Sequence, residues 1–414
     1  MEKISAIILA AGNGERMNSE LPKVLHTVCG KPLLEYCLDL TRSLKANSVL
    51  VLREKCSLFD KFITKELKIA YQNKPLGTAD AVKQTKKFSN FLSENIVILF
   101  ADSPLFSKET LKDLVNNHIK NKSDVTILSA ILDEQSGYGR VIRDKLSNIT
   151  KIVEDKDANS EEKRVKEINT GIMVFKKKSL FTYLNLIKEN KAKKEYFLTD
   201  IIAIFREKLL KINSYVLEDH TEALGINTQC ELIEAREIMR KRIINNLLKN
   251  GVSIINPNTV FIDADAEVGK DTIIYPFVVI ASGVKVGKNC SLGPFCHLRE
   301  STVIEDNNTI GNFTEIVRSK IDRDSFVKHF SYLGDAIVGK KVNIGAGVVT
   351  ANFDKEGKLI TKIKDNAFLG CDTIVVAPVT IGKNATTGAG SVVLKNKNVP
   401  DNTLVVGIPA KIKK

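Results

Sequence analysis

Several features that mark particular protein classes are missing from this 414-residue sequence. Tryptophan is absent, aromatic residues make up 6% of the chain, and no basic stripe is interleaved with aromatic residues. Proteins that bind single-stranded nucleic acid depend on such stacking, so a nucleic-acid partner is disfavoured. No apolar run reaches the roughly 20 residues that span a membrane. The segment MEKISAIILAAG lacks a small-residue cleavage site, so we expect a strand there rather than a signal peptide, and no membrane partner.

Cysteine is infrequent, and its spacing follows no known pairing motif. The seven cysteines are odd in number and scattered, and no CxxC pair occurs. This pattern argues against both a disulfide framework and a zinc site. We therefore expect a cytoplasmic protein.

The formal net charge is +13. A positive field attracts anionic ligands such as nucleotides or coenzyme A. A general richness in lysine explains the same value without any function, and composition does not separate the two interpretations. The chain length predicts two or three domains.

Residues 1–226 alternate apolar segments with amphipathic ones. This alternation predicts a Rossmann-like α/β domain, with a doubly wound, mostly parallel sheet and helices on both faces. Ligands of such sheets bind beyond the carboxyl ends of the strands. The predicted strands are Ile4–Leu9, Val49–Leu52, Ile96–Phe100, Val125–Ser129, Gly139–Ile142 and Gly171–Phe175, and the predicted helices include Lys31–Ser43 and Thr78–Lys87.

A connector helix is predicted within residues 227–251. Apolar residues recur every fourth position from Ala235 to Leu247 and form one stripe. Gly251 is a typical C-terminal stop for this helix.

From Val268 onward the apolar period changes to six. Aliphatic residues recur without a break from Val268 to Ile316, and the repeat resumes at Ile321 after a slip and again after an excursion at residues 351–358. Neither a helix nor an ordinary strand has this period. A six-residue step predicts a triangular coil with one short strand on each side, and therefore a left-handed parallel β-helix over residues 252–414.

A glycine loop follows the first predicted strand in the stretch LAAGNGERM, and two cations follow the loop. Gly12 and Gly14 allow backbone N–H groups to approach phosphate closely, and a helix N-terminus adds a favourable dipole. Arg16 and Lys23 would neutralise a triphosphate. A glycine loop alone is weak evidence, whereas the loop with both cations and Pro22 at this spacing is much stronger.

The motif LAAGNGERM…LPKVL resembles the signature of nucleotide–sugar pyrophosphorylases. Its combination with hexapeptide repeats is similar to the family of bifunctional N-acetylglucosamine-1-phosphate uridyltransferases and glucosamine-1-phosphate acetyltransferases, over nearly the whole chain. The resemblance implies synthesis of UDP-N-acetylglucosamine, a precursor of peptidoglycan and lipopolysaccharide. It also implies UTP and acetyl-CoA as co-substrates, Mg²⁺ as cofactor, the two sugar phosphates as small-molecule ligands, and a homotrimer.

In the first domain the resemblance implies a binding site for UTP and the sugar phosphate. YQNKPLGTADA is similar to the uracil-reading segment, LFADSPL ends a strand in a carboxylate, and GYGRVI, IVEDKDA, EINTGI and EALGINT supply sugar and metal positions. The implied residues are Leu9, Ala10, Ala11, Gly12, Arg16, Lys23, Gln72, Gly77, Thr78, Phe100, Ala101, Asp102, Gly139, Glu154, Asn169 and Asn227.

The resemblance places the magnesium site at Asp102 and Asn227. Magnesium prefers oxygen ligands and keeps several waters, so one carboxylate and one amide oxygen suit it. Each residue has an ordinary alternative role. Asp102 is also typical of a solvated strand end, and Asn227 is typical of an N-cap for the following helix.

In the second domain the resemblance makes His329 of KHFSYLGD the general base that deprotonates an amine for attack on a thioester. A lone histidine is more often structural, and the resemblance carries this assignment. Glu315 would orient or polarise His329. The implied sugar-phosphate residues are Arg299, Tyr332 and Asn343, and the implied acetyl-CoA residues are Ala346, Asn352, Phe353, Cys371 and Ala389.

Three departures from the family pattern concern the second site. Val317 stands where the family has a phosphate-binding lysine, and the neighbouring Arg318 compensates only if the local strand register differs. Phe353 and Cys371 replace a tyrosine and a serine. By the resemblance, the repeat domain is a coil or two shorter than in the family, and the sequence ends at GIPAKIKK without the longer tail that carries an arginine toward coenzyme A. Lys411, Lys413 and Lys414 are the cations that would serve instead.

Two alternative functions remain open at this stage. One is a monofunctional pyrophosphorylase whose repeat domain only assembles or regulates. The other is a non-catalytic regulator on the same two domains, similar to subunits of a translation-factor exchange complex. Lys23, Asp102 and Asn227 together argue against the regulator.

Overall fold

The computed structural model describes residues 3–133, 137–190 and 193–413, and Lys414 lies outside them. The chain divides into two compact units, one of residues 1–28 and 32–235 and the other of residues 29–31 and 236–414. The boundary at Ala235 falls inside the connector helix, which spans Gln229–Lys249. No helix in the described part of the chain is long and apolar enough to cross a membrane.

The first unit contains a nine-stranded sheet, a small two-stranded sheet and helices that cover the large sheet. Its strands are β1 Ile4–Ala10, β2 Thr27–Val28, β3 Lys31–Pro32, β4 Asn47–Leu52, β5 Leu67–Tyr71, β6 Asn95–Phe100, β7 Val125–Ile131, β8 Gly139–Arg143, β9 Ile149–Val153, β10 Glu167–Lys176 and β11 Ile212–Val216. Its helices are α1 Leu33–Ser43, α2 Thr78–Lys83, α3 Lys108–Asn121, α4 Lys177–Tyr183 and α5 Ile201–Glu207, and α6 is the connector helix Gln229–Lys249.

Helices pack on both faces of the large sheet, as the sequence predicts. The side chains of β1 alternate between two separate cores, with Ile8 in one and Ile7 in the other. Helices α1 and α3 contribute to the first core, and α2 and α5 contribute to the second. A strand buried on both faces reads as a continuous apolar run, which is why β1 was recognisable.

Two of the predicted strands, β8 and β10, run antiparallel to strands beside them. The sheet order is β11-β7-β10-β6-β1-β4-β5, with β8 and β9 attached beside β10. Strands β6, β1, β4 and β5 are parallel, whereas β10 is antiparallel to both β6 and β7, and β8 is antiparallel to β10. The carboxyl ends of β1 and β6 therefore lie at the same edge of the sheet. Asp102 lies at this edge, as does the glycine loop of residues 11–17 that follows β1, called the front loop below.

The second unit is a left-handed parallel β-helix with three faces, as the six-residue period predicts. The first face contains Ser253–Ile254, Ile273–Ile274, Ser291–Leu292, Thr309–Asn312, Phe326–His329, Asn343–Ile344, Phe368–Leu369, Thr386–Thr387, Leu404–Val406 and Lys411–Ile412. The second contains Phe261–Ile262, Val279–Ile280, His297–Leu298, Glu315–Val317, Tyr332–Gly334, Val349–Ala351, Ile374–Val376 and Val392–Val393. The third contains Glu267–Val268, Lys285–Val286, Val303–Ile304, Lys320–Ile321, Ala336–Val338, Thr361–Ile363 and Val379–Ile381.

The interior of the β-helix is a stack of mostly aliphatic side chains from successive strands, with Thr350 and Thr387 buried in two of them. Ile310, Ile316 and Leu333 are fully buried in this stack. The slip in the repeat is a coil one residue short, since Ile304 pairs with Ile321 and Ile316 pairs with Leu333. The excursion seen in the sequence forms a hairpin of Phe353–Asp354 and Gly357–Lys358.

Candidate active sites

The front loop folds tightly over the end of β1. Gly14 has φ +68°, and a Cβ there would lie 2.8 Å from the Cβ of Lys23, so glycine is required by both conformation and space. A Cβ on Gly12 would meet no atom within 4 Å. The backbone at Gly12 is therefore open to a ligand, as a phosphate-binding loop requires.

Four predicted phosphate and metal residues converge beside this loop. The Lys23 ammonium forms an ion pair with Asp102 and donates to the Asn227 amide oxygen at 3.1 Å. Arg16 donates to the same oxygen at 3.0 Å. The Asp102 and Asn227 oxygens therefore share one cation, and the side chains of Lys23 and Asp102 are only 12% and 22% exposed.

Backbone hydrogen bonds explain why Asn227 lies beside Asp102. The amide of Ile226 donates to the Asp102 carbonyl at 2.9 Å, which places Asn227 at the carboxyl end of β6. Thr228, not Asn227, caps helix α6, because its hydroxyl accepts from the Glu231 amide at 3.2 Å and Glu231 accepts from the Thr228 amide in return. The Asn227 side chain is thereby left to face Lys23.

The predicted base-reading residues form a second group. Gln72 is 5% exposed and donates to the Gly77 carbonyl and to Asp80, both at 2.9 Å. Gly77 has φ +95°, and a Cβ there would lie 2.7 Å from the Tyr196 nitrogen, so the segment needs glycine at this position. These contacts hold the Gln72 amide and the backbone of Gly77 in place without any ligand.

Glu154, Gly139 and Asn169 form a third group. A Cβ on Gly139 would lie 3.7 Å from Glu154 Oε2. Gly139 pairs with Asn169 across strands β8 and β10, and the Asn169 side chain accepts from the Gly171 amide at 3.1 Å. The two antiparallel strands therefore bring these three predicted residues together.

A cavity of about 840 Å³ is lined by at least one residue from each of the three groups. Thirteen of the sixteen predicted residues line it, and Ala101, Gly139 and Asn169 do not. The lining also includes Asn13, Glu15, Lys156, Lys193 and Glu195, which sequence reasoning did not select. Asn13 and Glu15 belong to the motif LAAGNGERM, and Lys156 belongs to the motif IVEDKDA that contains Glu154. Lys193 and Glu195 lie in no motif that would have identified them.

A buried thiol lies behind the cation site. Cys37 Sγ donates to the Phe100 carbonyl at 3.2 Å, just before Asp102. Burial, reinforced by the Asp102 charge, raises the pKa of Cys37 far above its ordinary value. The thiol therefore stays neutral, and the local electrostatics are set by Lys23, Arg16 and Asp102. No cluster of three or more His, Cys, Asp or Glu side chains that could hold a metal occurs among the described residues.

In the second unit His329 is exposed, and its ring is held by Asn312. His329 Nδ1 lies 2.9 Å from the Asn312 amide oxygen, one coil away. An amide oxygen only accepts, so Nδ1 carries the proton and Nε2 keeps a free lone pair. Glu315 instead accepts from Arg299 at 2.8 Å, so its orienting role toward His329 stays a prediction.

Val317 and Arg318 differ sharply in their surroundings. The Val317 side chain is fully buried. Arg318 occupies a corner with φ +47° and forms two hydrogen bonds, at 2.8 and 2.9 Å, to Asp335. The guanidinium lowers the pKa of Asp335, so this pair is charged at neutral pH. Arg318 therefore lies at a corner of the coil, where it is paired with the Asp335 carboxylate and is close to Tyr332.

The remaining predicted residues of the second site lie on successive coils. Asn343 is half-buried, and Asn352 is buried and donates to Asp335. Phe353 is 66% exposed on the hairpin, and Lys358 lies over its ring at 4.6 Å. Cys371 and Ala389 are exposed, and a Cβ on Gly345, next to Ala346, would lie 2.7 Å from the Cys371 nitrogen.

Comparisons with known proteins agree with both folds. The nucleotidyl transferase family matches residues 5–220, and bacterial transferase hexapeptide repeats match residues 265–299, 283–318 and 360–395. The bifunctional protein GlmU of Thermosipho africanus is 42% identical over 98% of this chain and 94% of its own length. The proteins of the same name from Clostridioides difficile and Thermoanaerobacter pseudethanolicus are 39% and 40% identical over 97% and 98% of this chain, and over 94% and 95% of their own lengths.

These matches define a nucleotidyl transferase joined to a hexapeptide-repeat transferase, which is the class that the fold and the two sites indicate. The chain belongs to the family of bifunctional GlmU proteins.

Proposed function

We propose that this protein makes UDP-N-acetylglucosamine. The first unit transfers a uridylyl group from UTP to N-acetylglucosamine 1-phosphate and releases pyrophosphate. The second unit makes that acceptor by acetylating glucosamine 1-phosphate with acetyl-CoA. The observation that carries the proposal is the convergence of Arg16, Lys23, Asp102 and Asn227 in the lining of the 840 Å³ cavity, which the base-reading residues and Glu154 also line.

Uridylyl transfer needs positioning and charge neutralisation more than covalent help from the protein. A phosphate oxygen of the sugar phosphate attacks the α-phosphorus of UTP, and the bond to the departing pyrophosphate breaks on the opposite side. Arg16 and Lys23 lie where they neutralise the triphosphate, and the open backbone at Gly12 donates to it. Gln72 and the Gly77 backbone orient uracil, while Glu154 binds the sugar hydroxyls.

The first site fits a magnesium ion. Asp102 and Asn227 present a carboxylate and an amide oxygen, which are hard ligands, and they already accommodate one positive charge from Lys23. With only these two protein oxygens, the remaining ligands would be phosphate oxygens and water. When bound, the ion neutralises charge on the phosphates during transfer.

In the second unit His329 acts as general base toward the amine of glucosamine 1-phosphate. Its Nε2 takes a proton from the amine as nitrogen attacks the thioester carbonyl, and coenzyme A leaves as the thiol. Arg299, Tyr332 and Asn343 are assigned to the sugar phosphate, and Arg318 supplies a second guanidinium close to Tyr332. Ala346, Asn352, Phe353, Cys371 and Ala389 are assigned to acetyl-CoA.

We further propose that the protein is a cytoplasmic homotrimer. All seven cysteines are free in the structure, which suits a reducing compartment. The exposed outer faces of the β-helix carry large apolar side chains such as Phe326 and Phe368, 39% and 50% exposed, which are consistent with contacts to other copies.

A paired assay tests both activities. Wild-type protein with glucosamine 1-phosphate, acetyl-CoA, UTP and Mg²⁺ should release both free thiol and pyrophosphate. His329→Ala should abolish thiol release and spare pyrophosphate release from supplied N-acetylglucosamine 1-phosphate, and Asp102→Ala should do the reverse.

The second candidate function is a monofunctional pyrophosphorylase. The buried, uncharged Val317 favours it, because the cation expected at that position is missing. Pyrophosphate release without any thiol release from the wild-type protein would select this alternative. Thiol release that persists in His329→Ala would refute the assigned base.

A further inference from the structure

A short segment, Tyr196–Thr199, contacts both the base-reading and the sugar-binding parts of the first site. The Tyr196 amide donates to the Leu76 carbonyl at 2.8 Å, and the Ala79 amide donates back to the Tyr196 carbonyl at 2.9 Å. The Leu198 amide donates to the Thr78 hydroxyl at 2.9 Å. Three hydrogen bonds therefore fix this segment along residues 76–79, which include the proposed uracil contacts Gly77 and Thr78.

The same segment reaches the sugar-binding carboxylate through one side chain. The Thr199 hydroxyl donates to Glu154 Oε1 at 2.9 Å. Thr199 is 8% exposed, and Glu154 lines the cavity. A hydroxyl has one proton to donate. Because that proton is directed at Oε1, the carboxylate is held in one orientation and keeps Oε2, next to Gly139, as an acceptor for a ligand.

The electrostatic surroundings explain why Glu154 needs such support. Desolvation, followed by the negative charges of Glu154 and Asp157, raises the pKa of Asp200 to about 6. The charges of Glu154 and Asp200 are therefore mutually unfavourable. Without a donor at Oε1, the Glu154 side chain would be free to turn toward solvent and away from this repulsion.

We propose that Thr199 is a positioning residue that sets the Glu154 carboxylate for the sugar phosphate. The inference rests on the proposed function, because it takes Glu154 as a sugar ligand. A sugar hydroxyl that donates to Glu154 needs the carboxylate oriented before it binds, and Thr199 supplies that orientation from the same segment that holds Thr78.

Three variants of the full chain test the role of Thr199. Thr199→Val keeps the shape of the side chain and removes the donor, and Thr199→Ser keeps the donor. Thr41→Val is the matched control, because Thr41 is also buried, 2% exposed against 8% for Thr199, and its hydroxyl donates to the Leu38 carbonyl at 2.8 Å within helix α1. The measurement is steady-state pyrophosphate release, with KM determined separately for N-acetylglucosamine 1-phosphate and for UTP.

We expect Thr199→Val to raise KM for the sugar phosphate about tenfold, the scale of a lost hydrogen bond to a charged group, and to change KM for UTP by less than about twofold. Thr199→Ser and Thr41→Val should stay within about twofold of the wild type for both substrates. A merely structural role would shift both KM values or only the thermal stability.

Two results would overturn the inference. One is an unchanged KM for the sugar phosphate in Thr199→Val, and the other is Thr199→Ser behaving like Thr199→Val. Wild-type protein that releases no pyrophosphate from UTP and N-acetylglucosamine 1-phosphate would instead overturn the proposed function itself, so the two failures are distinguishable.

Discussion

Removing the Lys23 ammonium should make the protein bind a divalent ion more tightly in the absence of nucleotide. Lys23 contacts both Asp102 and Asn227, the two proposed metal ligands. An ion entering without phosphate ligands must break these contacts and share the site with a positive charge. Lys23→Met keeps the apolar stem of the side chain and removes the charge.

The size of the effect follows from the contacts that would be broken. A hydrogen bond to a charged group contributes about 1.5–3 kcal/mol. The Lys23 side chain is 12% exposed and that of Asp102 is 22% exposed, so water screens the pair only in part. Since each 1.4 kcal/mol is about tenfold in affinity, Lys23→Met should bind the ion about 10- to 150-fold more tightly.

The assay counts free Mn²⁺ by electron paramagnetic resonance during titration of protein without nucleotide. Lys178→Met is the control for loss of one positive charge in the same unit, because Lys178 is exposed on helix α4. This helix follows the end of β10 that pairs with Asn95 at the start of β6, at the opposite edge of the sheet from Asp102. The control should bind as the wild type does. Asp102→Asn added to Lys23→Met should remove the gain.

An unchanged Mn²⁺ affinity in Lys23→Met would refute the reasoning, because the ammonium would then not compete for the ligand oxygens. Tighter binding that survives Asp102→Asn would place the ion elsewhere. Lys23→Met should also form far less pyrophosphate despite its tighter metal binding, since the triphosphate loses a cation.

Three further predictions concern stability and assembly. Leu333→Ala should lower the free energy of unfolding by about 2–5 kcal/mol, because it empties part of the fully buried interior stack, whereas Ile337→Ala, 47% exposed, should cost far less; chemical denaturation measures both. Burial, followed by the Lys176 charge, lowers the pKa of His118 from 6.5 to about 4, so the folded state loses stability as pH falls from 6.5 toward 4. His118→Gln should remove about 2–3 kcal/mol of that loss, measured by denaturation at pH 7 and pH 4. Sedimentation equilibrium should give three times the 45.9 kDa chain mass, and a monomer at micromolar concentration would contradict the trimer.

The sequence predicts the fold best where one physical constraint repeats. The buried strand β1 is apolar apart from Ser5, and each side of a β-helix coil places one residue inside, usually an aliphatic one, so a period of six is visible directly. The direction of β10 was not predictable, because the alternation of side chains is the same in parallel and antiparallel strands. Strand β5, Leu67–Tyr71, was missed because Lys68 interrupts its short apolar run and only Leu67 and Ala70 of its residues are buried.

Sequence patterns selected residues that the structure brings together beside the front loop, but they did not indicate how those residues pair. Arg16, Lys23, Asp102 and Asn227 were each assigned to phosphate or metal, yet only the structure shows that Lys23 lies between the two ligand oxygens. The contact between Asn312 and His329 depends on a coil of 17 residues, and that spacing could have been read from the slip in the repeat.

Sequence patterns did not predict the contacts made by loops. Thr199 and Glu154 are 45 residues apart, and no periodicity relates them. Lys193 and Glu195 line the cavity from a connecting segment whose path is set by hydrogen bonds to residues 76–79 rather than by any regular element.

The central claim is that a nucleotide binds over the front loop while Asp102 and Asn227 hold its metal ion. The most direct measurement is an anomalous difference map from crystals soaked with Mn²⁺ and UDP-N-acetylglucosamine. We expect one strong peak about 2.0–2.2 Å from an oxygen of each side chain, with uracil against Gln72 and Lys23 displaced toward phosphate. A peak elsewhere, or a nucleotide bound outside the cavity, would contradict it.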